Sequence, residues 1–238
     1  MSAVRRGEEH RGVPKDRRPL KQTEHPRAVR PGRVLAKLIA GGLYRLTTHG
    51  RENVPTSGPV LLAINHRHFL DGPVVFGTCP RPARFLVKAE MFSGPLGSFL
   101  RQIGQIPVRR GVPDRGALQT CLSWLRQGQV LGIFPEGTRG AGDFGQVRDG
   151  LTWLALRAQA PVVPVVCFGI VESVRDRTAP RLRSAVDVVF GEPFDVTAYG
   201  DRSSRRVLAE AATAVRDRLV EHHEKAARLT GWLPASGT

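Results

Sequence analysis

A histidine and an aspartate stand five residues apart in the segment NHRHFLD, residues 65–71. The segment follows an apolar run at residues 60–64 that is typical of a buried strand, and a helical pattern comes after it. At the end of a rigid strand, a turn brings the Asp71 carboxylate onto the His66 imidazole. The carboxylate then fixes the ring tautomer and stabilises the imidazolium, while the other ring nitrogen accepts a proton. His66 and Asp71 are therefore a candidate catalytic dyad.

Two other interpretations of this segment stay open. His66 and His68 lie two residues apart on an extended segment, so together with Asp71 they could ligate a metal ion. No further cluster of metal-ligating residues accompanies them in the sequence, which disfavours a metal site. Asp71 could also cap the helix that follows, a role that is compatible with orienting His66.

The segment FPEGTRG, residues 134–140, also follows an apolar strand pattern. Gly137 and Gly140 allow the backbone to approach a ligand closely. Arg139 offers a planar fork of donors to a phosphate, and Thr138 adds a hydroxyl group. The GxxxxGK[ST] pattern of a phosphate-binding P-loop is absent. A structural turn with a surface ion pair is the alternative interpretation.

Two shorter segments also have residue types suited to a site or a core. GQIPVRR predicts a short strand that ends in Arg109 and Arg110, whose guanidinium groups suit either an anion or solvent. APVVPVV, residues 160–166, predicts a strand entered through a stiff turn. Because proline cannot donate to a central ladder, we expect an edge position or a bulge near Pro164. The ordinary role of this strand is core packing.

Short apolar runs alternate with helical patterns from Pro59 onward. Most of the runs are too continuously apolar for one face to meet water, which predicts strands covered on both sides. The alternation predicts an α/β fold, with a mostly parallel or mixed central sheet flanked by helices. Asp114 and Gly128 bound one of the helices as cap and stop. The predicted strands are 60–64, 84–87, 105–108, 130–134, 162–168 and 185–190, and the predicted helices are 115–127, 148–159 and 202–229.

The charge balance favours an anionic partner. The 238 residues include 36 Lys and Arg against 21 Asp and Glu, which gives a formal net charge of +15. A phosphorylated substrate, a nucleic acid and a membrane surface all fit this excess. No nucleic acid is expected as partner, because helix-turn-helix, RNA-recognition and zinc patterns are absent from the sequence. A basic module that binds nucleic acid or an anionic surface is the alternative function from a class other than enzymes. The three widely separated cysteines predict neither disulfides nor a zinc site.

The N-terminal region divides into two parts. Residues 1–32 are rich in Arg, Pro and Gly without apolar periodicity, which predicts a disordered basic tail. Residues 33–48 have an amphipathic pattern, with Arg33, Lys37 and Tyr44 opposite the apolar face. This pattern predicts either a membrane-interfacial helix whose basic face meets lipid headgroups, or a helix packed on its own domain. Signal-like and membrane-spanning apolar stretches are absent, so we expect a cytoplasmic protein that contacts a membrane only at its surface.

Four of these segments, in this order, resemble the glycerolipid acyltransferase family typified by 1-acylglycerol-3-phosphate acyltransferases. NHRHFLD is similar to the family's NHxxxxD block, GQIPVRR to GxIPVxR, FPEGTRG to FPEGTRS, and PVVPV to its final proline-valine block. The resemblance covers residues 58–170, and the FPEGTR match is highly specific. It implies the fold of that family and makes residues 49–238, with their C-terminal helix, the acyltransferase domain.

The resemblance implies an enzyme that transfers a fatty acyl group from acyl-CoA or acyl-carrier protein to the free hydroxyl of 1-acylglycerol 3-phosphate (lysophosphatidic acid), giving phosphatidic acid in phospholipid biosynthesis. His66 is implied to be the general base and Asp71 to orient it, and the hydroxyl attacks the thioester directly. No metal and no cofactor is implied, because the acyl donor is a substrate. The implied location is peripheral, on the cytoplasmic face of the cell membrane. The residues implied to hold the acceptor phosphate and shape its site are Arg110, Glu136, Gly137, Thr138 and Arg139.

Two positions depart from the family pattern. His68 stands where the family commonly has Ser, and Arg109 stands where Asp or another small polar residue is frequent. The arginine pair has some likeness to glycerol-3-phosphate acyltransferases, so glycerol 3-phosphate or another lysophospholipid or alcohol is the alternative acceptor. A hydrolase, in which water attacks the thioester or a lipid ester, is the alternative chemistry for the same dyad.

Overall fold

A single mixed sheet organises the chain, in a computed structural model that describes residues 29–109, 114–170, 182–196 and 204–232. The strand order is β1-β7-β6-β2-β5-β3-β4, and every neighbouring pair is parallel except β6 and β7. The predicted α/β architecture is confirmed. The strands are β1 (Arg45–His49), β2 (Val60–Ile64), β3 (Ala83–Lys88), β4 (Ile106–Val108), β5 (Val130–Ile133), β6 (Val162–Phe168) and β7 (Ala185–Phe190).

Helices cover both faces of the sheet. In β2, Leu62 and Ile64 point to one face and Leu61 and Ala63 to the other, so all five residues of the strand are buried. The first face packs against α1 and α2, and the second against α4, α5 and α6. The helices are α1 (Val29–Leu43), α2 (Asp71–Thr78), α3 (Gly94–Gln102), α4 (Arg115–Arg126), α5 (Asp149–Ala158) and α6 (Arg205–Thr230), with 3-10 turns at Arg51–Asn53 and Ala89–Phe92.

The predicted strands and the three later helices agree with the structure to within a few residues at each end. Asp114 caps α4 as expected, because its Oδ1 accepts the Ala117 N–H at 3.0 Å, and Gly128 adopts a positive φ of 73° just after the helix. Of the two expectations near Pro164, the edge position is wrong, because β6 lies between β7 and β2. The bulge is confirmed, because Val165 pairs with Phe190 whereas Val162 pairs with Phe194, so the segment opposite Pro164 has one extra residue. Pro164 has no backbone N–H, and none is needed on this side because β7 has already ended at Phe190. The Gly191 N–H donates to the Pro164 carbonyl at 2.8 Å.

The N-terminal boundaries differ from the prediction. The amphipathic helix was expected over residues 33–48, yet α1 begins at Val29, inside the predicted tail, and ends at Leu43. Gly41 and Gly42 favour an end there, because glycine is a poor helix former. Residues 45–48 belong to β1, which pairs in parallel with β7, so the sheet begins before residue 49. The rest of the predicted tail, residues 1–28, lies outside the described residues.

As one of the two expectations had it, α1 packs on its own domain, against α2, but its apolar face is not the face that packs. Arg33 is turned into the protein, where its guanidinium donates to the carbonyls of Phe76 and Cys79, and Tyr44, just after the helix, is buried, whereas Lys37 is exposed. The apolar face of α1 is turned outward, with Leu38 67% and Ile39 52% exposed. Headgroups would therefore meet the apolar side of this helix, not the basic side. No helix in the described ranges is both long and apolar enough to cross a membrane.

Close approach between α1 and α2 depends on Gly77. A Cβ at Gly77 would lie 2.8 Å from the backbone nitrogen of Lys37, which is too close for any side chain. A Cβ at Gly72, also in α2, would meet only the Phe134 ring at an ordinary 3.7 Å. Backbone contact at Gly77 therefore brings the two helices together.

We predict that Gly77→Ala lowers the free energy of unfolding by about 1–3 kcal/mol, because α1 must move away from α2. Gly72→Ala is the matched control, and it stays within about 1 kcal/mol of the parent or gains stability from the better helix propensity of alanine. Urea denaturation followed by circular dichroism measures both variants. Equal stabilities for the two variants would contradict the proposed close approach.

Candidate active site

The candidate segments meet at one edge of the sheet. Strands β2 and β5 are parallel neighbours, so the loops that follow Ile64 and Ile133 emerge side by side. The first loop carries NHRHFLD and the second carries FPEGTRG. Strands β3 and β4 also run parallel to β5, and they bring Lys88 and Arg109 to the same edge. Lys88 was not singled out from the sequence, although a lysine at the end of a strand pattern was a usable signal.

His66 and Asp71 form a buried pair. His66 Nδ1 lies 3.1 Å from Asp71 Oδ2, and His66 is 6% and Asp71 1% exposed. The same Oδ2 accepts the N–H groups of Arg67 and His68, both at 2.8 Å. Because an ionised carboxylate only accepts hydrogen bonds, Nδ1 carries the ring proton and Nε2 is left as the basic nitrogen.

The capping interpretation of Asp71 is wrong in its details. Asp71 is the first residue of α2, and its carboxylate accepts from the loop before the helix, not from the amides of the helix. These bonds hold the carboxylate in place against His66. The alternative metal site is not formed either, since the described residues contain no group of three His, Cys, Asp or Glu able to hold an ion.

His68, the departure from the family pattern, is a buried part of the loop. The Leu70 N–H donates to its Nδ1 at 3.2 Å, and its ring packs on Phe69 at 4.4 Å between centroids. The hydrogen bond makes Nδ1 the acceptor nitrogen of the ring. His68 thus contributes to the shape of the loop that carries the dyad.

Contacts from the second loop fix the ring of His66. Phe134 lies against it with ring centroids 4.2 Å apart, and the Gly140 N–H donates to the His66 carbonyl at 3.0 Å. Phe134 belongs to FPEGTRG, but nothing in the sequence indicated that its ring packs on the candidate base. The two loops therefore hold the imidazole between them.

Asn65 joins the same loops to β6. Its Nδ2 donates to the carbonyls of Gly142 and Cys167, both at 3.2 Å, and its Oδ1 accepts the Cys167 N–H at 2.8 Å. The side chain is buried, so each of these bonds is protected from water. Sequence reasoning left Asn65 without a role, although its place directly before His66 was a usable signal.

Glu136 faces the protein backbone. Its Oε1 accepts the Phe144 N–H at 3.4 Å, and the His66 backbone N–H also donates to its carboxylate. Burial raises the pKa of Glu136, and the hydrogen bonds from Phe144 and His66 only partly oppose that shift. A carboxylate held in this way repels a phosphate, so of the two implied roles Glu136 is suited to shaping the site and not to holding the phosphate.

The other predicted phosphate-site residues divide into three groups. Gly137 has a positive φ of 74°, and a Cβ there would overlap the side chain of Arg148, a cation not singled out from the sequence. Thr138 and Arg139 are exposed, and within the described ranges no carboxylate pairs with Arg139. Arg110 lies outside the described residues, while its neighbour Arg109 is exposed.

A His–Asp dyad with exposed cations beside it, at the carboxyl edge of a mostly parallel sheet, defines a class of enzyme that activates a hydroxyl or water next to an anionic group. The comparison with protein families is more specific. The Acyltransferase family model matches residues 45–168, just over half of the chain. The chain belongs to this family and is an acyltransferase.

Curated relatives and a solved structure agree with this family. The chain is 28% identical over 181 residues to the 1-acyl-sn-glycerol-3-phosphate acyltransferase of Bacillus subtilis, covering 74% of this chain and 87% of that one. It is 33% identical over 133 residues to the enzyme of that name from Chlamydomonas reinhardtii, covering 53% of this chain and only 39% of that one. The solved structure of the Thermotoga maritima LPA acyltransferase PlsC has 23% identity and a TM-score of 0.60, covering 82% of this chain and 79% of that one, which supports the fold.

We predict that Glu136→Gln changes stability with a definite pH trend. A raised folded-state pKa means that ionised Glu136 costs stability above that pKa, and that the cost disappears as the pH falls through it. Glutamine is never ionised, so the stability of the variant relative to the parent increases as the pH rises above the ordinary glutamate pKa of 4.5, and it levels off above the raised folded-state pKa. Urea denaturation across this range measures the trend. Glu52→Gln, at an exposed site, controls for general effects of charge, and an equal trend in both variants would contradict the assignment.

Proposed function

We propose that this acyltransferase transfers a fatty acyl group from acyl-CoA or acyl-carrier protein to the free hydroxyl of 1-acylglycerol 3-phosphate, giving phosphatidic acid. The buried His66–Asp71 pair beside exposed cations is the observation that carries the proposal. The Bacillus and Chlamydomonas relatives bear the name of this activity. Glycerol 3-phosphate is the alternative acceptor, and a panel of acceptors read by mass spectrometry distinguishes the two.

The dyad accounts for a direct transfer. His66 Nε2 takes the proton of the acceptor hydroxyl as its oxygen attacks the thioester carbonyl carbon. Asp71, which faces Nδ1 at 3.1 Å, stabilises the imidazolium that forms. The tetrahedral intermediate collapses with cleavage of the carbon–sulfur bond, and the imidazolium returns its proton to the departing thiolate. The ester and a free thiol are the products, with no acyl-enzyme and no metal or cofactor.

Cations at the same edge are suited to hold the acceptor phosphate. Arg139 presents a guanidinium next to the loop that contacts His66, and Lys88 lies at the end of β3, where its ammonium is 3.8 Å from Glu90. Arg110 completes the set by its place in the sequence. Holding the phosphate fixes the hydroxyl about 3 Å from His66 Nε2, and such positioning contributes several kcal/mol to catalysis.

We predict that His66→Ala lowers kcat at least about 100-fold, because a general base contributes 10² to 10⁴ in rate. The matched control is His49→Ala, since His49 forms a second His–Asp pair with Asp187 at 2.9 Å, and His49 lies on the outermost strand β1, three positions away from β2 in the sheet. Release of free thiol from acyl-CoA, with and without lysophosphatidic acid, measures the rate. Thiol release that does not need the acceptor would indicate a hydrolase, and unchanged turnover in His66→Ala would refute the mechanism.

Peripheral binding to the cytoplasmic face of the membrane is the second part of the proposal. The outward face of α1 exposes Val34, Leu35, Leu38 and Ile39, each by about half or more. An exposed apolar stripe along a helix is typical of a membrane-interfacial element. Full burial of each such side chain contributes about 1.5–3 kcal/mol, so the stripe has enough apolar area to bind a bilayer surface.

We predict that Leu38→Glu with Ile39→Glu weakens binding to phosphatidylcholine vesicles at least tenfold, because two carboxylates replace apolar groups that enter the lipid. Leu229→Glu with Ala209→Glu is the matched control, because it places the same two charges on exposed apolar positions of α6. Vesicle sedimentation measures both variants. Equal losses would show that added negative charge, and not the stripe, controls binding.

A further inference from the structure

A cavity at the C-terminal end of α1 is lined by three cations from three separate elements. Lys37 comes from α1, Arg45 begins β1, and Arg183 lies just before β7. The cavity measures about 350 Å³, and its lining includes no acidic residue. In the described part of the chain none of these three side chains forms an ion pair with a carboxylate. The cavity therefore has positive charge that no carboxylate of the described residues neutralises.

The walls of the cavity leave room for an anion. Gly41 and Gly42 line it, and a Cβ at either position would meet nothing within 4 Å. The carbonyl groups at the C-terminal end of a helix repel anions, but here two of these carbonyls already accept hydrogen bonds from backbone N–H groups. The Ala40 carbonyl accepts the Tyr44 N–H at 2.8 Å, and the Leu43 carbonyl accepts the Arg183 N–H at 2.6 Å. The three cations thus determine the electrostatic character of the cavity.

Strand register places this cavity at the edge of the sheet that carries His66. Arg45 pairs with Ala185, so β1 and β7 begin together. Strand β7 is antiparallel to β6, and its start lies beside Phe168 at the end of β6. Strand β6 runs parallel to β2, which ends just before His66.

The cavity is separate from the place of the acceptor phosphate. Strands β1 and β2 are three positions apart in the sheet, which corresponds to roughly 14 Å. The three carbons of a glycerol unit do not bridge this distance between a reacting hydroxyl and its own phosphate. An anion held by Lys37, Arg45 and Arg183 is therefore a different molecule from the acceptor at His66.

Exposed apolar side chains adjoin two of the cations. Lys37 precedes Leu38 on α1, and Arg183 follows Leu182, which is 66% exposed. A helix that lies on a bilayer buries its apolar face about 5–10 Å into the boundary between headgroups and acyl chains. Cations on the flank of that face then lie at the level of the lipid phosphates. We propose that the Lys37–Arg45–Arg183 cavity binds the phosphate of an anionic phospholipid headgroup and holds the protein on the membrane beside its active site.

This inference rests on the proposed membrane binding by α1, and its test is independent of acyl transfer. The test variant is the full chain with Lys37→Gln, Arg45→Gln and Arg183→Gln. The matched control removes the same charge from three exposed arginines on other helices, Arg126→Gln, Arg157→Gln and Arg205→Gln. Residues 1–28 are unchanged in every protein, so their contribution cancels.

The measurement is sedimentation with phosphatidylcholine vesicles, pure or with one fifth phosphatidylglycerol, in the absence of an acyl donor. We expect the cavity variant to lose at least tenfold in affinity for the anionic vesicles, and the control variant to lose less than threefold. Binding of both variants to pure phosphatidylcholine should equal that of the parent, because the apolar stripe is intact. Equal losses in the two variants, or no loss in the cavity variant, would overturn the proposal.

A second arm separates a lipid headgroup from free phosphate. Inorganic phosphate is added to the parent protein and the anionic vesicles, and sodium chloride at equal ionic strength is the control. Equal effects of the two salts support the headgroup assignment, because both only screen charge. Displacement by millimolar phosphate beyond the chloride effect would identify a site for free phosphate and overturn the lipid assignment. Loss of vesicle binding in the α1 stripe variant but not in the cavity variant would support the proposed membrane binding by α1 and overturn only the assignment of the cavity.

Discussion

The geometry of the site depends on hydrogen bonds between two loops that follow neighbouring parallel strands. Asp71 orients His66, but Asp71 is itself held by backbone N–H groups of the first loop. Asn65 and Glu136 then join that loop to the second one, through Gly142 and through the His66 backbone. Since these polar groups are wholly or partly shielded from water, leaving any of them unpaired is costly. The FPEGTRG loop therefore positions His66, the proposed base, as well as exposing Arg139 at the same site.

The helix α1 has an inverted arrangement for a helix packed on a domain. Gly32 and Arg33 face the protein, the side chain of Lys37 is exposed, and the apolar stripe faces outward. Gly77 allows close contact between the backbones of α2 and α1, and Gly32 leaves room for the Ile103 side chain. A surface helix of a soluble protein normally buries its apolar stripe. The inverted arrangement is explained when a lipid phase covers the stripe, which is the physical basis for the proposed membrane binding.

The sequence was sufficient for much of the fold, because buried parallel strands appear as short apolar runs and α4 carries its own cap and stop signals. It was insufficient where tertiary contacts override local pattern. Strand β1 has little apolar character, and pairing with β7 makes it a strand. Arg84 is buried with its guanidinium 3.3 Å from the Trp124 ring centroid, which lowers its pKa to about 10 by desolvation. Spacing could place His66 near Asp71, but contacts such as those of Glu136 need three-dimensional proximity between distant segments.

The distribution of charge now has a spatial meaning that the net charge alone lacked. Lys88, Arg109 and Arg139 lie near His66, and Arg45 and Arg183 lie across the sheet at the same edge. Because the electrostatic potentials of neighbouring cations add, an anionic surface attracts this edge of the protein more strongly than the others. The outward stripe of α1 adjoins this edge, so electrostatic attraction and apolar burial favour one orientation. In that orientation the proposed lipid acceptor would reach His66 from the bilayer, while the proposed thioester donor would enter, and its thiol leave, through water.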